Sequence, residues 1–229
     1  SEVGDPAAMA ITDSALVVAD GQTLWVKDGD SAPREIAAES VFGAAAIVPD
    51  SLCIGENGRI YVADTSGVIW QIPIDAFATP ANISVQSVAE TSSVTALTVV
   101  DKQLVYASPA EVGVITVESA DAYTAAVSLP ATRPATNGTD IITGHEQTVT
   151  HLRFDNDLRT AAAYEVTAPI EHVQLAGRNA VVTTTTGTTV IDLATGSTST
   201  RGGQIRYIGP HYTIADRDGE TQLRISERR

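Results

Sequence analysis

The sequence is poor in cysteine, lysine and aromatic residues, and it contains no long hydrophobic run. Cys53 is the single cysteine, so no intramolecular disulfide can form, and the apolar context SLCIGEN predicts a small buried side chain. No stretch approaches the roughly 18 apolar residues that a membrane helix needs, so we expect no membrane insertion by this segment. Lysine occurs only at positions 27 and 102 and arginine supplies the other basic side chains, a usage that suggests a GC-rich bacterial source.

Positive charge is scarce relative to negative charge. The 229 residues include 14 Lys and Arg against 28 Asp and Glu, which gives a formal net charge of −14. Such a chain is repelled by nucleic acid and by anionic lipid, so both are excluded as primary partners. With 43% hydrophobic and 18% charged residues, the composition is that of a globular protein rather than a disordered one.

The usual signatures of metal and hydrolase sites are missing. The sequence has no HExxH, no CxxC, no DxDxDG loop and no GxSxG elbow. The segment DRDGE, Asp216 to Glu220, has two carboxylates before a glycine but lacks the later bidentate glutamate, and it is better explained as a hairpin turn. We therefore predict no catalytic residue, no metal and no cofactor.

A hairpin-like pattern recurs along the whole chain. In RIYVADTSGVIWQIPID, Arg59 to Asp75, a first apolar strand ends in a small residue and a polar one, and a turn and a second alternating strand follow. The same pattern returns at intervals of roughly 40 residues, the size of a propeller blade. The residues that end the first strand of each copy are Ala19, Ala63, Ala107, Gly144, Thr183 and Ala215.

The repeat predicts an all-β fold, a β-propeller of six four-stranded antiparallel blades in a single domain over 1–229. The blades are expected at about 1–40, 41–90, 91–130, 131–169, 170–203 and 204–229. No sixth outer strand is visible in the sequence. SEVGD could supply this strand, or the strand could belong to a part of the protein outside this segment. The alternative to a complete six-bladed ring is a six-blade segment of a larger ring. Ala38 to Asp50 is expected as a loop insert with at most one helical turn. The aromatic residues expected between blades are Trp25, Trp70, Tyr61, Tyr106, Phe154, Tyr164 and Tyr212.

Identical blade connectivity would place all six hairpin turns on one face of a ring. Turns that converge near the axis are the usual binding region of such folds, and an acidic rim favours a cation, a basic peptide or a sugar. His172 lies on a predicted inner strand, where it could face the axial channel or form hydrogen bonds inside the protein. The predicted rim consists of Asp20, Asp64, Glu111, His145, Glu146, Asp216, Arg217 and Asp218.

Three segments carry two resemblances to known proteins. NGRIYVADTSGVIWQIPID and SALVVADGQTLWVKD resemble blades of bacterial propellers of the NHL, virginiamycin B lyase-like and quinoprotein-like types. The opening GDPAAMAITDSALVVADG resembles the propeller portion of actinobacterial surface proteins that also carry fibronectin type III repeats. The second resemblance implies an extracellular or cell-surface location and a membrane-anchored parent protein.

Three functional hypotheses remain open at this point. The first is a non-catalytic extracellular scaffold, monomeric and cut from a larger bacterial surface protein, that binds a protein, peptide or glycan. The second is a lyase or glycosidase-like enzyme with His172 or His145 and a carboxylate at the axis. The third is a structural spacer. An enzyme requires several titratable side chains to converge in the central funnel, which neither of the other hypotheses requires.

Overall fold

The structure, a computed structural model, divides the chain into two compact units, Ser1–Pro130 and Ala131–Arg229. The boundary coincides with the predicted boundary between the third and fourth blades, and a single domain over 1–229 stays a prediction. The structure describes residues 8–11, 15–30, 32–43, 46–55, 58–73, 85–91, 93–100, 102–117, 124–129, 131, 133–155, 157–208, 212–217 and 220–225.

The described part of the first unit forms three sheets of four strands each. The first sheet contains β1 (Ala8–Ile11), β2 (Ala15–Ala19), β3 (Thr23–Asp28) and β4 (Arg34–Ala37). The second contains β5 (Cys53–Ile54), β6 (Arg59–Ala63), β7 (Val68–Pro73) and β8 (Gln86–Glu90). The third contains β9 (Ala96–Val100), β10 (Gln103–Ala107), β11 (Glu111–Thr116) and β12 (Thr124–Ser128).

The second unit continues the same pattern. Its first sheet contains β13 (Ala135–Thr136), β14 (Asp140–His145), β15 (Thr148–Phe154) and β16 (Leu158–Glu165). The next contains β17 (Ile170–Ala176), β18 (Asn179–Thr184), β19 (Gly187–Asp192) and β20 (Thr198–Arg201). The last contains β21 (Gln204–Ile208), β22 (Tyr212–Arg217) and β23 (Glu220–Ile225).

Each sheet is an antiparallel meander whose strands follow one another in chain order, which is the architecture of a propeller blade. The prediction of an all-β fold with six blades is confirmed. Five sheets have four strands, and the sixth has three within the described residues. SEVGD lies outside those residues, so its proposed role as the missing strand stays a prediction.

Alternate side chains of one strand pack into two different cores. In β6, Ile60 and Val62 join the core formed with β2 and β3 of the first blade. Tyr61 and Ala63 point the other way and join the core formed with β9 and β10 of the third blade. Because successive strand residues face opposite sides, one short strand contributes buried side chains to the cores on both faces of its blade. Cys53 belongs to the second core and is buried, as the sequence predicts.

The second strand of a blade ends in a small residue because the next blade approaches closely there. A Cβ atom on Gly144 would lie 2.8 Å from Cγ2 of Ile170, on the first strand of the following blade. Ala19, Ala63 and Ala107, at the corresponding positions, are completely buried. The repeated small residue of the sequence therefore reflects packing between blades.

The insert between the first two blades is short. Helix α1 (Ala38–Phe42) forms the one helical turn that was expected in this insert, and a 3-10 turn at Pro49–Ser51 adds a second that was not expected. Phe42 lies against Trp70 with ring centroids 5.6 Å apart. Tyr61 and Tyr106 are buried, whereas Trp25, Trp70, Phe154 and Tyr164 are half-buried. Within the described residues, no helix is long and apolar enough to cross a membrane.

Candidate functional site

In the first three blades, the polar residue of the repeat closes the turn between the second and third strands. Within each unit, we call the turns at this position and the connections between blades beside them the hairpin-turn end of that unit. The Asp20 carboxylate accepts hydrogen bonds from the backbone N–H groups of Gln22 and Thr23, at 3.0 and 2.8 Å. The Ser108 hydroxyl accepts two such bonds in the third blade, from Ala110 and Glu111. The repeated polar residue thus caps its own turn.

Asp64 occupies the same position in the second blade, but it is 2% exposed rather than part of an open rim. Oδ1 accepts hydrogen bonds from Ser66 N at 2.8 Å, Ser66 Oγ at 2.5 Å and Val68 N at 3.1 Å. Oδ2 accepts one from Trp70 Nε1 at 2.7 Å. Burial alone would raise the pKa of Asp64, but these hydrogen bonds lower it below its usual value. The geometry gives Asp64 a structural role.

Glu111 is half-buried at the turn of the third blade. Its Oε1 accepts a hydrogen bond from the Tyr106 hydroxyl at 2.7 Å. Burial of Tyr106, together with this hydrogen bond and the negative charge of Glu111, raises the pKa of the Tyr106 hydroxyl. The carboxylate is therefore only partly available to an external ligand.

Backbone hydrogen bonds join neighbouring turns across the connections between blades. In the first unit, Ile47 N donates to Gly21 O at 2.6 Å and Thr65 N donates to Ala46 O at 2.8 Å. The second unit repeats the arrangement: Ile170 N donates to Glu146 O at 2.7 Å and Thr185 N to Pro169 O at 3.1 Å. These bonds fix the backbone of the hairpin-turn end of each unit.

His145 and Glu146 lie at an exposed turn of the second unit. Glu146 has a φ of 51°, in the left-handed region that favours glycine, and Gly21 at the corresponding position of the first blade has a φ of 94°. A glutamate is disfavoured in this conformation by about 1 kcal/mol. The turn between β14 and β15 therefore holds Glu146 in an unfavourable backbone conformation.

The other predicted rim residues belong to the last sheet. Asp216 Oδ1 accepts a hydrogen bond from Thr221 Oγ1 at 2.7 Å. Arg217 is the last residue of β22, and its side chain is outside the described part. Asp218 lies outside the described residues altogether. A shared acidic rim therefore stays a prediction.

His172 lies on β17, the first strand of its blade, beside a register shift between Ile170 and His172. The His172 side chain is half-buried and interacts with another group of the protein. Both the axial and the interior interpretation remain open for this residue. Within the described residues, no group of three or more His, Cys, Asp and Glu side chains is placed to hold a metal ion.

Sequence reasoning missed a buried pair in the fourth blade. His151 Nε2 lies 2.8 Å from Asp140 Oδ1, and the His151 side chain is 6% exposed. The ionised carboxylate can only accept, so Nε2 carries the proton, and Nδ1 is buried without a hydrogen-bond partner among the described residues. Burial would raise the pKa of Asp140, but hydrogen bonds from His151 and Asn137 and the charges of His151 and Arg153 lower it. The sequence held one signal for this pair. His151 and Arg153 are two residues apart on a predicted strand, so both lie on one face, where a carboxylate partner could be expected.

We expect Asp140→Asn to lower the free energy of unfolding by about 1–2 kcal/mol at neutral pH, because a charged acceptor for His151 is lost. The folded pKa of Asp140 is lowered, so its contribution is present above the unfolded value of 3.8 and disappears as the pH falls through the folded value. Urea unfolding near pH 7 and pH 3 measures both effects. Asp155→Asn, which removes an exposed partner of Arg159, serves as the control and should be nearly neutral. Equal stability of Asp140→Asn and the parent at pH 7 would show that the hydrogen bond between the Asp140 carboxylate and His151 does not stabilise the fold.

Comparisons with known proteins identify the fold but no family. No family model and no curated protein matches the sequence. Among solved structures, PorZ of Porphyromonas gingivalis is similar over 96% of this chain, at 13% identity and a TM-score of 0.65. The chain spans only 33% of PorZ.

Two similar structures are closer to this chain in length. The Neurospora crassa Pan2 WD40 domain has a TM-score of 0.72 at 13% identity, with 95% of this chain and 74% of that one covered. BBS1N, in a complex with ARL6DN, has a TM-score of 0.71 at 12% identity, with 99% and 79% covered. Identities this low show the fold alone, and the fold of this chain is a β-propeller.

Proposed function

We propose that this chain is a non-catalytic binding scaffold in which the hairpin-turn end of each unit can dock a protein, peptide or glycan. The proposal rests on a repeated pair of backbone hydrogen bonds, in which Ile47 N donates to Gly21 O and Ile170 N donates to Glu146 O. This pair of bonds holds the turns in place through main-chain atoms, and the side chains of Asp20 and Glu146 are exposed there. A fixed backbone that presents exposed side chains lowers the entropic cost of binding.

The charge distribution supports a positively charged partner. Residues 1–130 contain 17 Asp and Glu and 4 Lys and Arg, whereas residues 131–229 contain 11 and 10. The first unit thus carries nearly all of the net negative charge, and electrostatic attraction would speed the approach of a cationic ligand.

The location is proposed to be the outside of a bacterium, as part of a larger surface protein. The high ratio of arginine to lysine supports a bacterial source. PorZ, one of the similar structures, is described as a bacterial surface component of the type-IX secretion system, and BBS1N is described in a complex with another protein. These descriptions belong to those proteins, and they motivate the same class of role here.

The double variant Asp20→Asn/Glu146→Asn changes one exposed carboxylate at the hairpin-turn end of each unit and tests the two ends together. Asparagine retains the oxygen that caps the Asp20 turn and tolerates the left-handed conformation at position 146, so the variant should be at least as stable as the parent. We expect weaker capture of an oligolysine peptide, with a smaller difference at high salt because exposed charges are then screened. Binding is measured by calorimetry and stability by thermal unfolding.

Asp30→Asn/Glu35→Gln is the matched control, because it removes two exposed carboxylates that lie away from the hairpin turns. It should bind like the parent. If both variants lose binding equally, the effect is one of net charge, and if neither does, neither hairpin-turn end is a docking surface. The same assay with glycans and with Ca²⁺ distinguishes the class of ligand.

A further inference from the structure

Two arginines stand directly opposite each other at the far end of the fourth blade. Arg153 on β15 pairs with Arg159 on β16 in the register of the sheet. Residues paired in this way project from the same face with Cβ atoms about 5 Å apart, and like charges in such a pair destabilise the sheet. A compensating negative charge is therefore expected nearby.

The compensation within the protein is uneven. Arg159 Nη2 lies 2.6 Å from Asp155 Oδ2, which is a well-formed ion pair. Arg153 Nε lies 3.7 Å from Asp140 Oδ1, too far for a hydrogen bond. That carboxylate is already engaged by His151 at 2.8 Å, while its other oxygen accepts from Asn137 Nδ2 at 3.3 Å. Among the described residues, Arg153 is therefore the less neutralised of the two guanidinium groups.

Both side chains are accessible to solvent. Arg153 is 48% exposed and Arg159 is 62% exposed. A guanidinium group presents five N–H donors in a planar fork that matches the oxygens of carboxylate, phosphate or sulfate. Two such arginines on directly paired strand positions are close enough for their long side chains to turn toward one group.

We propose that Arg153 and Arg159 form a binding site for an oxyanion of the phosphate, sulfate or carboxylate class. The site lies at the opposite end of β15 from the turn at 145–148, so it is separate from the hairpin-turn end of its unit and does not depend on the proposed docking function. The net charge of −14 opposes long-range attraction of anions. Recognition must then come from close, directional hydrogen bonds.

Inorganic phosphate is the first probe, titrated at constant ionic strength made up with sodium chloride. Thermal unfolding and the NMR signals of the arginine Nε–H groups report binding, and succinate in a second arm distinguishes carboxylate from phosphate. We expect a saturable shift of the Arg153 and Arg159 signals and a rise in Tm over chloride alone. Arg153→Gln and Arg159→Gln should each weaken binding about tenfold or more, because a charge-assisted hydrogen bond is lost.

Arg201→Gln changes the net charge equally at an exposed arginine outside the pair, and it should bind phosphate like the parent. The proposal is overturned if the response does not saturate, if chloride reproduces it, or if Arg201→Gln removes it as completely as Arg153→Gln does. Each of these results would mean that phosphate acts only through general screening of charge.

Discussion

Replacing Asp64 by alanine is expected to lower the free energy of unfolding by about 3–4 kcal/mol. The carboxylate accepts four hydrogen bonds, and its removal leaves the Trp70 and Val68 N–H groups without their acceptor. Hydrogen bonds to a charged group contribute about 1.5–3 kcal/mol to stability. A donor that is left without its acceptor inside the protein lowers the free energy of unfolding further. Urea unfolding at neutral pH measures the change.

The matched control for Asp64→Ala is Asp20→Ala. Asp20 has the same position in its blade, but it is exposed and, among the described residues, accepts the two turn N–H bonds given above, so we expect a loss of about 1 kcal/mol. The two variants should also differ in acid. The pKa of folded Asp64 is lowered, so its stabilisation is present above the unfolded value of 3.8 and is lost as the pH falls through the folded value. The deficit of Asp64→Ala should shrink at that pH. Equal losses in both variants would show that burial of Asp64 is unimportant.

Gly113→Ala is expected to destabilise the fold by about 2–3 kcal/mol because the third blade has no room for a methyl group there. Gly113 lies directly opposite Tyr106 in the sheet, and a Cβ atom would overlap the Tyr106 ring. Tyr106 is 2% exposed and its hydroxyl donates to Glu111, so the ring cannot move without losing both its packing and that bond. Thermal and urea unfolding measure the loss.

Gly202→Ala provides the comparison for this substitution, since nothing lies within 4 Å of a Cβ atom at Gly202. It should be nearly neutral. The double variant Gly113→Ala/Tyr106→Ala should lose less stability than the sum of the two single changes, because the truncated side chain no longer meets the methyl group. Strict additivity would rule out a clash as the cause.

The repeated small residue followed by a polar one shows how far the sequence could be interpreted. The small residue is the last residue of the second strand in the first three blades and lies within two residues of that end in the other three, because a strand boundary depends on local alternation and on turn-forming residues. The interpretation of this pattern as an exposed acidic rim is only partly supported. Asp20 is exposed, whereas Asp64 at the same position is buried.

The cause of this difference lies elsewhere in the chain. Ile47, in the connection that follows α1, forms an isolated bridge with Asp64. Trp70 reaches back to the same carboxylate from the following strand. The first contact lies outside the hairpin pattern, since it depends on a segment 17 positions earlier in the chain, and the second depends on the direction in which the Trp70 side chain turns. The sequence therefore could not distinguish the two aspartates.

By itself, the sequence determined the class of fold, the positions of the strands and the number of sheets. Those properties follow from period-2 alternation, β-branched residues and turn signals, all of which act within a few residues. The tertiary structure alone decided that Asp140 meets His151, that Arg153 faces Arg159, and that Gly113 makes room for Tyr106. Each of these contacts depends on the register between strands, and one residue of slip would turn the side chains to opposite faces of the sheet.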